Sequence, residues 1–116
     1  MVDVPLERFE ELVADALDEI PDDLWRLTDN VAVIVREGSD GSSLLGLYDG
    51  IPLTERSRGY GEGMAMPDRI TIFRRPILAM CADEDEVVDQ VRITVIHEVA
   101  HHFGIDDARL HELGWA

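Results

Sequence analysis

The stretch "HEVAHHFGIDD", residues 97 to 107, constrains this chain more than any other feature it has. As a pattern it is HExxHxxGxxD: two histidines four residues apart, a glutamate after the first, then a glycine and an acid at two further steps of three. A spacing of four puts His97 and His101 on successive turns of one helix face, so the segment must be helical if the pair is to act together. Side by side, the two imidazoles can reach one ion at Zn–N distances of about 2.0–2.1 Å. Glu98 then stands beside the first ligand, angled towards a metal-bound water as a general base and out of place as a ligand. Gly104 permits a sharp turn that is costly for other residues, and a side chain just past the helix can come back to the same ion. Asp106, Asp107, His111 and Glu112 all follow that turn.

The preceding residues supply the helix. In "ADEDEVVDQVRITVIHEVAHHFG" the acids Asp83 to Glu86 oppose the positive end of a helix dipole and Gly104 is a natural stop, which predicts a helix over 84–103, roughly 30 Å long. At about 100° per residue, Gln90, Thr94, His97, Glu98 and His101 share one face, while Val88, Val91, Val95, Val99 and Phe103 form an apolar one. Arg92 interrupts the apolar side and is expected to carry its head to the edge. His102 falls within the apolar stripe and reads as a packing or supporting residue.

Earlier in the chain, Leu6, Phe9, Leu12, Val13, Ala16, Leu17 and Ile20 recur at three- and four-residue steps, predicting an amphipathic helix from Pro5 to Ile20 that "PDD" ends. "VAVIV" at 31–35 is a β-branched run short enough for a strand buried on both faces, with further strands expected at 44–48 and 70–73. Between the last two lies the glycine-rich segment 49–68, of a length that often lines a binding site. At 116 residues the chain reads as one domain, 1–116, of α+β class.

Composition removes several function classes. Ten basic against 25 acidic residues leave a net charge of −15, a field that repels nucleic acid and anionic membranes. No apolar run approaches the ~20 residues of a membrane span. The acidic start "MVDVPLERFEELV" is unlike a signal peptide, and with a lone Cys81, read as a small buried hydrophobe, the expectation is a cytoplasmic protein.

HExxHxxGxxD resembles the metzincin-type zinc metallopeptidases, and the chain after Val31 resembles the minimal zincin-like family of bacteria through "LYDGIPLTERS", "PDRITIFRRPIL" and "TVIHEVAHHFGIDDARLHELG". The resemblance implies a small mixed sheet packed against an N-terminal helix and a long active-site helix, with a short C-terminal helix. It implies Zn²⁺ as cofactor, with His97, His101 and Asp107 as ligands, Glu98 as the base that activates water, and a peptide or protein as substrate. Asp107 holds the motif's fixed position, three after Gly104; Asp106 falls one residue early and is left to cap a helix. The strand pairing with substrate at the sheet edge would match Ile70, Thr71 and Ile72. Tyr48, Tyr60, Arg56 and His111 are the candidates for a second electrophile. The family's larger members carry a methionine-containing turn below the metal, whereas nine residues follow Asp107 here and none is methionine, so the cleft floor is expected to be missing or supplied by a partner. A catalytically silent zinc-binding module is the alternative, its marker being a fourth protein ligand such as His111 or Asp106. A zinc hydrolase acting on RNA is disfavoured by Glu98 and by the charge.

Overall fold

The structure, a computed structural model, describes residues 2–28, 30–39, 42–50 and 67–115. The first helix, α1 (Leu6–Asp18), starts after Pro5, whose φ of −59° suits the N-cap, and buries Phe9, Leu12, Val13 and Ala16. The expected stop "PDD" is also a start: Pro21 caps a single-turn helix, α2 (Asp22–Trp25), which sinks Leu24 into the core. A further short helix, α3 (Arg74–Met80), goes beyond the sequence expectation, because Pro76 interrupts the pattern; it lies in the first turn, where a missing N–H costs nothing.

Among the described residues three strands make one sheet: β1 (Val31–Arg36), β2 (Gly46–Asp49) and β3 (Asp68–Phe73), in the order β1-β3-β2. β1 and β3 are parallel, with Val33 opposite Ile70, and β2 is antiparallel to β3, with Tyr48 opposite Ile70 and Gly46 opposite Ile72. This order corrects two expectations. Among the described residues "VAVIV" is an edge strand of half-buried residues and not one buried on both faces, with β3 as its one strand neighbour. Ile70, Thr71 and Ile72 lie in the central strand, where the ladders to β1 and β2 leave no open edge for another chain.

Alternation along β3 points Ile70 and Ile72 at the helices, fully buried, on the same face as Val33 and Val35 of β1. Against that face lies α4 (Glu84–His102), the long helix expected. Asp83 caps it by accepting from the Glu86 amide at 2.9 Å. Its inner row is Val87, Val91, Val95 and Val99, joined by Ile96 and Ala100. Val88 is half-buried and packs against the core, whereas Phe103 follows the last helical residue and is exposed, so of these two only Phe103 leaves the predicted stripe. A Schellman turn closes α4: Gly104, at φ +75°, donates to His101 O, and Ile105 donates to Ala100 O. The chain then enters α5 (Asp107–Leu113), capped by Asp106 and anchored by fully buried Leu110. Among the described residues no helix is long and apolar enough to cross a membrane.

Candidate metal centre

The last two turns of α4, the Schellman turn and the first residue of α5 converge at one end of the sheet. His97 and His101 project from α4 with ring centroids 6.0 Å apart and planes 21° from parallel, as their spacing requires. Past the turn the two adjacent acids part company. Asp106 accepts from the Arg109 amide at 2.9 Å, so its carboxylate belongs to the helix cap. Asp107 turns back, and its Oδ1 lies 3.9 Å from His101 Nε2. The positive φ of Gly104 makes this return possible.

Glu98 points the other way, towards the sheet. Its Oε1 accepts from the backbone N–H of Tyr48 in β2 at 3.1 Å. The strand comes this close because position 46 has no side chain: a Cβ there would stand 2.6 Å from the Thr94 methyl and 3.1 Å from Thr71 O. Between β2 and α4 runs a cleft of about 250 Å³, with Leu45, Gly46 and Thr94 on its walls and His97, Glu98 and His101 at one end. A sequence profile of zincin-like metallopeptidases matches residues 27–115, which include every element from β1 to α5. The chain belongs to that family.

A solved structure of a conserved hypothetical protein from Thermo thermophilus has the same fold, with a TM-score of 0.52 and 24% identity over 85% of this chain and 94% of that one. No curated protein matches. The zincin-like family is normally zinc-dependent, and the donors here suit zinc in kind: two imidazoles and a carboxylate. Two ligand atoms on a tetrahedral zinc lie roughly 3.3 Å apart, given bond lengths of about 2.0–2.1 Å. The 3.9 Å between His101 and Asp107 is somewhat wider than that, and among the described residues no three ligating side chains form a closed set. The histidine pair is in register; the aspartate, 73% exposed, stands just off it.

His102, expected in the apolar stripe, is exposed at the end of α4 and stacks on the Tyr48 ring, centroids 3.9 Å apart and planes 16° from parallel. His111 is exposed on α5, and Tyr60 and Arg56 lie outside the described residues. A larger cavity of about 810 Å³, between Val2, Ser42, Arg74 and Leu78, has no histidine or cysteine among its described lining, and the Arg74 guanidinium is engaged by Glu37 and the Val4 carbonyl. Size alone does not make it the reactive site. The strand expected at 44–48 overlaps β2; what its pattern does not show is its role, Tyr48 as the partner of Glu98 and Gly46 as the point of close approach. The available signal was a lone glycine inside a strand pattern, which often marks such an approach.

Proposed function

We propose that this chain is a zinc-dependent peptidase in which His97, His101 and Asp107 hold the metal and Glu98 is the general base. The carrying observation is that the histidine pair and the Glu98 carboxylate occupy one end of the cleft beside an edge strand. Held by His97, His101 and Asp107, zinc would supply a Lewis acid for the scissile carbonyl and a water with its pKa lowered to about 7. The Glu98 carboxylate would accept a proton from an attacking water and return it to the leaving amine. The Tyr48 amide fixes the rotamer from which it does so.

The strand that aligns substrate is β2, in place of Ile70 to Ile72. Leu45 O accepts from Phe73 N–H, so Leu45 and Leu47 turn their peptide groups to β3 while Gly46 and Tyr48 turn theirs to the outer edge, above α4. An extended peptide adding there would pair at Gly46, next to the Tyr48 N–H that Glu98 already holds. Asp106 as a helix cap and His111 as an exposed residue support three protein ligands with an open fourth position, against a closed, silent site.

Metal titration and peptide hydrolysis test this together. Zinc at 100 times its Kd should stabilise the protein by about 2.7 kcal/mol through mass action, and His97→Ala should abolish both binding and stabilisation. Glu98→Gln should keep the metal and lose hydrolysis, because an amide cannot accept the proton. In a chelator competition, Asp107→Ala should weaken zinc binding by orders of magnitude and Asp106→Ala should leave it nearly intact. Stoichiometric zinc in His97→Ala, or metal loss in Glu98→Gln, overturns the assignment.

A further inference from the structure

Glu98 and His102 are four residues apart and therefore neighbours on successive turns of α4, forming a row beside that of His97 and His101. Both residues of this second row touch the same partner. Glu98 accepts the backbone N–H of Tyr48 at 3.1 Å, and His102 lies flat against the Tyr48 ring at 3.9 Å. The ring is held from other directions as well: Phe103 meets it edge-on at 6.3 Å and 82°, and its hydroxyl donates to Asp68 Oδ2 at 2.8 Å. Phe103 also meets His102 edge-on, at 5.0 Å and 85°, which completes a three-ring cluster at the surface. The chain leaving β2 also passes close to the imidazole, since a Cβ at Gly50 would stand 3.0 Å from His102 Cε1.

We propose that His102 is a positioning residue for Glu98, acting through Tyr48. The inference rests on the reading of Glu98 as general base. An exposed imidazole adds little to the core, so its use lies in the stack. Stacking fixes where the Tyr48 ring sits on α4, and the same residue's amide then fixes the Glu98 carboxylate one turn earlier. The double histidine of "HEVAHH" thus divides between two tasks: His101 stands in the metal row, and His102 holds the edge strand in register with the base. Shape and flatness are what this task needs, so a phenyl ring can replace the imidazole.

His102→Ala and His102→Phe, each as the zinc-loaded protein, separate this from a merely structural role. The alanine variant should bind zinc unchanged and lose roughly tenfold or more in kcat with little change in KM, because a small misplacement of a catalytic group costs up to about 10²-fold. His102→Phe should restore kcat. A second readout needs no activity: the amide proton of Tyr48, followed by NMR, should move in His102→Ala towards its position in Glu98→Ala and exchange faster with solvent, and should stay in place in His102→Phe. A Tyr48 amide that His102→Ala leaves unmoved, or a phenylalanine variant as impaired as the alanine one, overturns the proposal. If the wild-type protein hydrolyses no peptide yet its Tyr48 amide responds as described, the peptidase reading falls and the positioning of the carboxylate stands. If it hydrolyses peptides and His102→Ala does so equally well, the reverse holds.

Discussion

Gly104 and Cys81 show what single positions do in this chain. With φ at +75° and nothing within 4 Å of where a Cβ would be, Gly104 is required by backbone conformation and not by space. Gly104→Ala should therefore cost about 1–2 kcal/mol, the penalty of the left-handed region, read as a lower denaturation midpoint at unchanged slope. A neutral result would mean that the turn re-forms without it. Cys81 closes α3 and is buried, and desolvation raises the pKa of its thiol, with Glu86 and Asp83 adding to the effect. The thiolate is the reactive form, so a thiol reagent at neutral pH should label native protein far more slowly than denatured protein. Equal rates would show that the N-terminal segment, whose Val2 amide donates to Cys81 O, opens readily.

At the scale of elements, the separation of β2 from α4 determines whether Glu98 meets its amide. Gly46→Ala puts a methyl 2.6 Å from the Thr94 methyl, and neither the sheet nor the helix can yield without disturbing the other. Overpacking of this kind costs about 1–3 kcal/mol, and the substitution should also impair hydrolysis more than zinc binding, because the histidine row lies on α4 alone. Equal loss of both would argue that β2 also supports the metal ligands. Helix α1 is tied to the start of α4 by Arg8, which donates to Glu84 at 2.8 and 3.2 Å. That hydrogen bond lowers the Glu84 pKa from its ordinary 4.5. A depressed carboxylate stabilises the fold above its unfolded pKa and loses this contribution as pH falls through the folded value. Arg8→Ala should accordingly flatten the loss of stability below about pH 4.5, seen in urea titrations across that range; an unchanged pH profile would assign the acid sensitivity to other carboxylates. Both partners are substantially exposed, so the effect should be small.

For the whole molecule, net charge opposes the compact state. A net −15 repels itself in the folded state, and salt screens that repulsion over a Debye length of about 10 Å at 0.1 M. Metal-free protein should melt higher as salt rises from about 0.01 to 0.15 M; for a domain of this size about 1 kcal/mol corresponds to a Tm rise of roughly 4 °C. A falling Tm would show that ion pairs such as Arg8–Glu84 and Arg74–Glu37 outweigh the repulsion.

Local interactions made much of this protein legible in its sequence. The extent of α4, its cap at Asp83, its histidine row and the Gly104 turn all depend on residues within four or five of each other, where helical periodicity and glycine's freedom act without the rest of the chain. Strand order is different in kind. "VAVIV" and "ITIF" carry the same local pattern, short runs rich in β-branched residues, and nothing within either run says which of them takes a neighbour on each side. Pairing across the chain decided that, making β3 central and bringing the shorter, glycine-containing β2 over the helix. Tyr48 and Glu98, fifty residues apart, share a hydrogen bond for the same reason. Residues 84–104 carry the helix and the order of its candidate ligands in their own spacing; which strand faces them depends on the folded chain, because sheet partners are chosen by burial and register between distant segments, which no short window contains.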